Sequence, residues 1–362
     1  ALEAIGRALM ERAEPLGRLL SREEGKPMAE GRGEVYRAGQ FFTYFASECL
    51  RQIGETADSV RPGIEIDVRR EPLGVVGIIS PWNFPMATAA WKIAPALAYG
   101  NTVVWKPASL TPASAVALAA IVDEVGLPAG VFNLVLGSGA GPGDGLVRHP
   151  DVAAISFTGS VEVGRRLAAQ AIGKMKKIQL EMGSKNPMLI LDDADLDLAV
   201  QHATQAAFGG TGQKCTAASR LIVHRRVHDA FVERLVAATS ALVVGHALEP
   251  ETRIGPVVSE QQLALDLAAV ELGRGEGAEL LCGGERLERP HSGYYLAPAV
   301  FVGTHNRMRI NREELFAPIT CVQVADDYSE ALALANDTDF GLVAGIMTRD
   351  LARAQHFRRH AR

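Results

Sequence analysis

Apolar and polar positions alternate along this chain with two different periods. Over the first fifty residues the period is helical. Leu2, Ile5, Leu9, Leu16, Leu19 and Leu20 recur at helical spacing until Gly25-Lys26-Pro27 breaks the run. That spacing predicts one helix before the break and a second over Val35–Leu50. Its aromatic stripe, Tyr36, Phe41, Phe42, Tyr44 and Phe45, reads as core packing. Between Arg61 and Pro72 apolar and charged residues alternate, which predicts a hairpin-like strand excursion with one exposed face. From Gly74 onward short β-branched runs alternate with helical stretches. Val75–Ile79 precedes a helix from Met86, and Thr102–Trp105 precedes a helix capped by Thr111-Pro112. Val131–Leu136, Ala154–Phe157 with the helix Val161–Ile172, and Lys176–Met182 continue the series. Strands apolar on both faces belong to parallel sheets covered by helices. The prediction is an α/β fold with a doubly wound parallel sheet. A second α/β series has strands expected at Met188–Leu191, Leu221–Val223, Leu280–Cys282, Tyr294–Val302 and Ile319–Val324, with a domain boundary near Gly183-Ser184.

Composition narrows the classes. With 362 residues, 48% apolar and 22% charged, the chain has enough apolar content for two or three packed domains and is no disordered segment. The net charge of −5, without a basic block, argues against nucleic acid and anionic membrane as partners. The uncharged stretch Gly126 to Gly143 is rich in glycine and suits turns rather than a membrane span. Cys49, Cys215, Cys282 and Cys321 form no CxxC pair, which argues for a reducing compartment, hence the cytoplasm, and against a disulfide scaffold. No metal site is expected. His224 and His228 have i,i+4 spacing, but Arg225 replaces the Glu of HExxH, so both read as surface residues. The run Asp192, Asp193, Asp195, Asp197 lacks the glycine of a calcium loop and reads as helix N-capping. The chain opens at Ala1 without Met and stops at Arg362 inside a polar helical pattern without a cap, so it is expected to be a piece of a longer protein.

Two glycine-rich segments sit where strands end and helices begin. Gly137, Gly139, Gly141 and Gly143 miss the dinucleotide spacing because Pro142 holds the third glycine position. Phe157-Thr158-Gly159-Ser160 through Gly164 misses the P-loop pattern because Arg165-Arg166 follows. Judged on glycine alone, tight βα turns explain both as well as a phosphate site does. Cys215 has small polar neighbours, with Lys214 and Arg220 nearby, a setting that favours a reactive thiol. An isolated cysteine is better explained by packing than by reactivity, since free cysteines are commonly buried. Glu181 ends an apolar strand, where a raised pKa would suit a general base. None of the nine histidines lies in an obvious base context, which weakens a Cys–His hydrolase.

Six segments in order are more specific than any one. Pro81-Trp82-Asn83-Phe84-Pro85, Trp105-Lys106-Pro107-Ala108-Ser109, Phe157-Thr158-Gly159-Ser160, Leu180-Glu181-Met182-Gly183, Gly212-Gln213-Lys214-Cys215-Thr216 and Glu313-Glu314-Leu315-Phe316 together resemble the aldehyde dehydrogenase superfamily, over essentially the whole chain. The resemblance implies a cofactor domain over 1–53 and 73–183, an oligomerisation hairpin over 54–72, and a catalytic domain over 184–362. It implies Cys215 as nucleophile, the Asn83 amide with the Cys215 N–H as oxyanion hole, Glu181 as the base that activates water, and Lys92 in proton relay. NADP or NAD is the implied cofactor. Lys106 and Ser109 would meet the adenosine ribose, Gly159 and Ser160 the pyrophosphate, and Glu314 and Phe316 the nicotinamide side. Ser80, Trp82, Asn83, Gly137, Gly141, Phe157, Thr158, Gly164, Glu181 and Met182 complete the implied cofactor surroundings. Ser109, where NAD-restricted members often carry a carboxylate, implies tolerance of a 2′-phosphate.

This sequence departs from the family pattern at Ser184 and Ala317, each in place of a glycine, and by lacking the family's outer flanks. The full-length protein is expected to be a homodimer or homotetramer. A CoA-acylating relative is the alternative enzyme, disfavoured by Glu181; a non-catalytic cofactor-binding fragment is the other. Among substrates, Leu180–Pro187 and Gly77–Pro85 look most like the 2-oxoglutarate semialdehyde branch, with succinate semialdehyde and simple aliphatic aldehydes open.

Overall fold

The opening helical pattern folds as three helices rather than two: α1 (Leu2–Glu11), α2 (Ala13–Glu24) and α3 (Met28–Glu48). The computed structural model describes residues 1–51 and 53–362, and these divide into two units, 1–24 with 29–182 and 25–28 with 183–362. The first helical run breaks at Arg12, where the backbone leaves helical geometry. α1 and α3 meet where both lack a side chain. A Cβ on Gly6 would lie 2.7 Å from the Gly39 carbonyl oxygen, and one on Gly39 would lie 2.7 Å from that of Gly6. Only glycine permits that approach. Of the aromatic stripe only Phe42 is fully buried; Tyr36 and Tyr44 are exposed, because the inner line of α3 runs through Val35, Ala38, Gly39 and Phe42. Gly25–Met28 belongs to the second unit: the Met28 N–H bonds the Ala247 carbonyl at 2.9 Å.

β1 (Glu55–Asp58) and β2 (Glu65–Val68) form the expected antiparallel hairpin. Both of its faces are exposed, not one. The series from Gly74 gives β3 (Val75–Ile79), α4 (Ala87–Ala98), β4 (Thr102–Lys106), α5 (Pro112–Glu124), β5 (Phe132–Leu134), α6 (Asp144–Arg148), β6 (Val152–Thr158), α7 (Val161–Ile172) and β7 (Lys177–Glu181). The strands form a parallel sheet in the order β5-β4-β3-β6-β7. Strand order therefore reverses at β3 and β6, the doubly wound arrangement. Carboxylates from the opening helices cap the crossovers. Glu34 accepts from the Met86 and Ala87 N–H groups at 2.9 and 3.2 Å, and Glu23 accepts from Ala113 and Ser114 at 2.5 and 2.8 Å. The expected cap of α5, Thr111, occupies the N-cap position but makes no capping bond; Glu23 takes those donors instead.

The second unit holds β8 (Asn186–Ile190), α8 (Leu196–Phe208), β9 (Ala218–His224), α9 (His228–Ser240), α10 (Glu260–Gly275), β10 (Glu279–Cys282), β11 (Arg286–Leu287), β12 (Tyr295–Leu296), β13 (Ala299–Val302), α11 (Arg309–Arg312), β14 (Ile319–Ala325), α12 (Tyr328–Asn336), β15 (Gly345–Met347) and α13 (Leu351–His360). Its main sheet runs β10-β13-β14-β9-β8-β15, parallel except for β10. The expected strand Tyr294–Val302 splits in two: β12 pairs with β11, while β13 joins the main sheet. Asp195 caps α8 as expected, accepting from the Leu198 N–H at 3.2 Å. His224 is not at the surface. It is buried, and its Nδ1 accepts from the Arg226 N–H at 3.1 Å, capping the turn after β9. α13 does not run uncapped to the last residue either: it stops at His360, whose carbonyl accepts from Asn336 Nδ2 at 2.9 Å. All four cysteines are free, and burial pushes the Cys321 thiol up to about 11. Among the described residues no helix is long and apolar enough to cross a membrane.

Candidate active site

In the first unit, parallel pairing brings the carboxyl ends of β3, β4 and β6 level. Ile79 pairs with Lys106 on one side and Phe157 on the other, so Ser80, Lys106 and Thr158 gather at one edge. This is the edge, beside the reversal of strand order, where open α/β sheets bind ligands. Ser80 accepts from Trp105 Nε1 at 2.9 Å. Lys106 is buried, and burial lowers its pKa. Ser109 Oγ donates to the Gly137 carbonyl at 3.0 Å, tying the loops after β4 and β5 together, and Gly141 N–H bonds Ser138 Oγ at 3.2 Å. Ser160 caps α7 through the Val163 N–H, leaving Gly159 and Ser160 at a helix N-terminus that favours anions. A Cβ on Gly159 would collide with the Phe157 ring, and one on Gly164 with the Met182 sulfur at 2.5 Å. Thr158 Oγ1 is buried with no hydrogen-bond partner among the described residues. An orphaned hydroxyl, a helix N-terminus and a buried ammonium on one edge fit a phosphate-bearing cofactor.

The next strand carries the carboxylate. Thr158 pairs with Glu181 and Ser156 with Gln179 across β6 and β7. Lys92, on α4, reaches beneath them. Its Nζ donates to Gln179 Oε1 at 2.9 Å, Ser156 Oγ at 3.0 Å and the Phe157 carbonyl at 3.4 Å. Burial lowers its pKa to about 8, against an opposing pull from the Glu181 charge. Asn83 is buried in the loop that Glu34 anchors at the start of α4, and Trp82 beside it is half-buried.

In the second unit, Cys215 lies between the tight turn of residues 209–212 and β9. The turn is strained: Gly210, Thr211 and Gly212 have φ of 61°, 57° and 67°. Positive φ at a threonine costs of order 1–3 kcal/mol and persists only where the surroundings enforce it. A Cβ on Gly212 would lie 2.2 Å from the Ala317 carbonyl, so this turn packs backbone to backbone on the loop of Glu314 and Phe316. Phe316 is also at positive φ, 59°. Past the turn, the Cys215 carbonyl accepts from Asn186 Nδ2 at 2.7 Å and from Ser184 Oγ. Asn186 also donates to the Ala217 carbonyl at 3.0 Å and accepts from the Val343 N–H at 3.0 Å. Glu314 accepts from the Ser184 N–H at 2.9 Å, and a Cβ on Gly183 would sit 2.0 Å from its carboxylate. Cys215, Glu314, Phe316 and the departure residues Ser184 and Ala317 thus meet in one small region.

One expectation fails here. Arg220 is fully buried and does not serve the thiol. It donates to the Lys185, Leu334 and Ala335 carbonyls at 3.0, 2.9 and 2.9 Å, the last two at the end of α12, where the helix dipole favours a cation. Lys214 Nζ reaches the Gln205 carbonyl at 3.4 Å. The sequence reading missed Asn186, Ser156 and Gln179 as partners of site residues. It also missed Lys185, fully buried with its Nζ unpartnered among the described residues and its pKa lowered by burial to about 8. The polar run Ser184-Lys185-Asn186 at the mouth of an otherwise apolar strand was the available signal.

Comparisons with known proteins agree on one family. The model of the aldehyde dehydrogenase family matches residues 1–362. An alpha-ketoglutaric semialdehyde dehydrogenase of Bacillus subtilis is 44% identical over 349 residues, 96% of this chain and 72% of its own length. An alpha-ketoglutarate semialdehyde dehydrogenase of Haloferax volcanii is 42% identical over 358 residues, 98% of this chain and 74% of its own. A solved structure of betaine aldehyde dehydrogenase from Staphylococcus aureus in complex with NAD+ superposes with a TM-score of 0.98 at 35% identity, covering 99% of this chain and 72% of that one.

Proposed function

This chain belongs to the aldehyde dehydrogenase family, and we propose that it oxidises a semialdehyde to the carboxylic acid with NAD(P)+, using Cys215 as nucleophile. The observation that carries this reading is the held geometry of the Cys215 turn, strained at Thr211 and clamped at the Cys215 carbonyl by Asn186. The thiolate adds to the aldehyde carbon, forming the C–S bond of a thiohemiacetal. The Asn83 amide and the Cys215 N–H hold the developing oxyanion, a charge absent from the ground state, so they lower the barrier. The cofactor, when bound, supplies the two-electron acceptor that leaves the carbon at the thioester level. Glu181 takes a proton from water, whose oxygen attacks the thioester carbonyl; the C–S bond breaks and the thiolate returns. Lys92, with its pKa near 8, receives that proton from Glu181 in its neutral form.

Lys106, Ser109 and Gly137 form the adenosine end of the cofactor site, and Thr158, Gly159 and Ser160 face the pyrophosphate. Glu314 and Phe316 hold the nicotinamide ribose. Ser109 brings no negative charge against a 2′-phosphate and Lys106 brings a positive one, so NADP is accepted as well as NAD. The first unit with the edge just described is the cofactor domain, and 184–362 the catalytic domain. The exposed apolar residues Ile64, Ile66 and Val68 of the hairpin support self-association. The four free thiols suit a reducing compartment such as the cytoplasm. The names of the two semialdehyde-oxidising relatives support a semialdehyde bearing a carboxylate.

The experiment is reduced-cofactor absorbance with a panel of aldehydes. The Cys215→Ala variant loses turnover while cofactor binding persists. Turnover that survives in Cys215→Ala overturns the nucleophile, and acyl-CoA as product in place of free acid overturns Glu181 as the base for water.

A further inference from the structure

We propose that His246, Glu249 and His291, on the surface of the second unit, form a binding site for a borderline divalent transition-metal ion of the Zn2+ class. One ligand atom from each of the three side chains lies within 4.8 Å of the other two. His291 Nε2 stands 3.5 Å from Glu249 Oε1, too long for a good charge-assisted hydrogen bond. It is close to the separation of two ligands on one tetrahedral Zn2+, about 3.3 Å from bond lengths near 2.0–2.1 Å. The His246 and His291 rings lie with centroids 4.6 Å apart at 40°. Two imidazoles so close repel one another when both are protonated, while a metal ion uses both as neutral donors. Two imidazoles and one carboxylate are the donor set of open, three-protein-ligand zinc sites.

The backbone on each side is fixed by bonds independent of any ion. In the turn after α9, the Glu249 N–H bonds the His246 carbonyl at 3.0 Å and buried Thr252 donates its Oγ1 to the same carbonyl at 2.8 Å. The neighbouring Gly245 N–H bonds the Ile254 carbonyl at 3.0 Å. In the loop of His291, Arg289 Nε donates to the Val244 carbonyl at 2.7 Å, pinning that loop to the base of the turn. The guanidiniums nearest in sequence, Arg253 and Arg289, are spent on backbone carbonyls. Only exposed side chains need to move by an ångström or so to close on an ion: Glu249 and His291 are 57% and 58% exposed. His246 Nδ1 accepts from the Leu248 N–H at 3.4 Å, so binding through Nε2 gives up one long, weak bond. The ion bridges turn 245–252 and loop 289–293.

The test uses the 362-residue chain and Co2+ as a spectroscopic probe, with Zn2+ for thermal stability. The chain is expected to take up Co2+ with ligand-field bands and no thiolate-to-cobalt charge-transfer band, and to melt higher in Zn2+. His246→Gln and His291→Gln each lose both effects while keeping the metal-free melting temperature. His356→Ala with His360→Ala removes another close imidazole pair, stacked at 3.9 Å on α13, and leaves the binding intact. Three results overturn the proposal: no Co2+ uptake at about 1 mM, uptake undiminished in His291→Gln, or a spectrum dominated by the thiolate band.

Discussion

The two units hold their candidate groups by different means. At the carboxyl edge of the first sheet, Ser80, Lys106, Thr158 and Glu181 are placed by regular elements: parallel strands in register, and helices capped by Glu23, Glu34 and Ser160. Around Cys215 the backbone is irregular. Thr211 and Phe316 sit at positive φ, and a buried amide, Asn186, gathers the Cys215 and Ala217 carbonyls and the Val343 N–H. The two buried lysines repeat the contrast. Lys92 Nζ has three acceptors, whereas Lys185 Nζ has no hydrogen-bond partner among the described residues, and both are lowered to about 8. A regular edge tolerates the loss of one polar contact, because the strands still set the geometry. A turn held by polar bonds alone does not.

That contrast can be broken, and Asn186→Ala strikes it hardest. The substitution orphans the Ala217 carbonyl and the Val343 N–H, at about 1–3 kcal/mol each before relaxation, and leaves the Cys215 carbonyl to Ser184 Oγ alone. A loss of about 4 kcal/mol by denaturant titration is expected, with kcat down about 100-fold from misplacement of the thiol. A loss below ~1 kcal/mol would show that the strained turn holds itself. Next is Lys185→Met. With a native pKa of about 8 against 10.5 for the free side chain, the unfolded chain binds more protons between those values. Stability of the parent therefore rises as pH goes from about 8 to 10.5, and the burial cost, ~3 kcal/mol, is fully present below that window. Lys185→Met should be more stable at pH 7 by up to ~3 kcal/mol and should flatten that slope, read from denaturation midpoints across pH. An unchanged slope would mean that Lys185 finds a partner. The smallest effect on stability is expected at the regular edge: Ser160→Ala removes one cap and costs about 1 kcal/mol, read from the denaturation midpoint.

The same division explains what the sequence disclosed. Strand runs and the doubly wound order follow from periodicities that only regular elements impose. Asp195 as a cap is legible because capping depends on local neighbours. Glu23 and Glu34 are not, since they cap helices ninety and fifty-two positions away, judged by their bonds to Ala113 and Met86. Arg220 was misread for the same reason: proximity in sequence suggested a partner for the thiol, while the fold turns its guanidinium toward the end of α12. The proposed role of Cys215 comes from resemblance alone. Nothing in its local pattern separates a nucleophile from a packed thiol; the strain and the Asn186 clamp that distinguish it depend on residues far along the chain.

The central claim is a covalent intermediate on one sulfur. Mass spectrometry of the Glu181→Gln variant after mixing with aldehyde and cofactor tests it directly, since without its base the thioester outlives its formation. The predicted result is an acyl adduct on the peptide containing Cys215, absent when Cys215→Ala is added. An adduct on another residue, or steady turnover with Cys215 unmodified throughout, would contradict it.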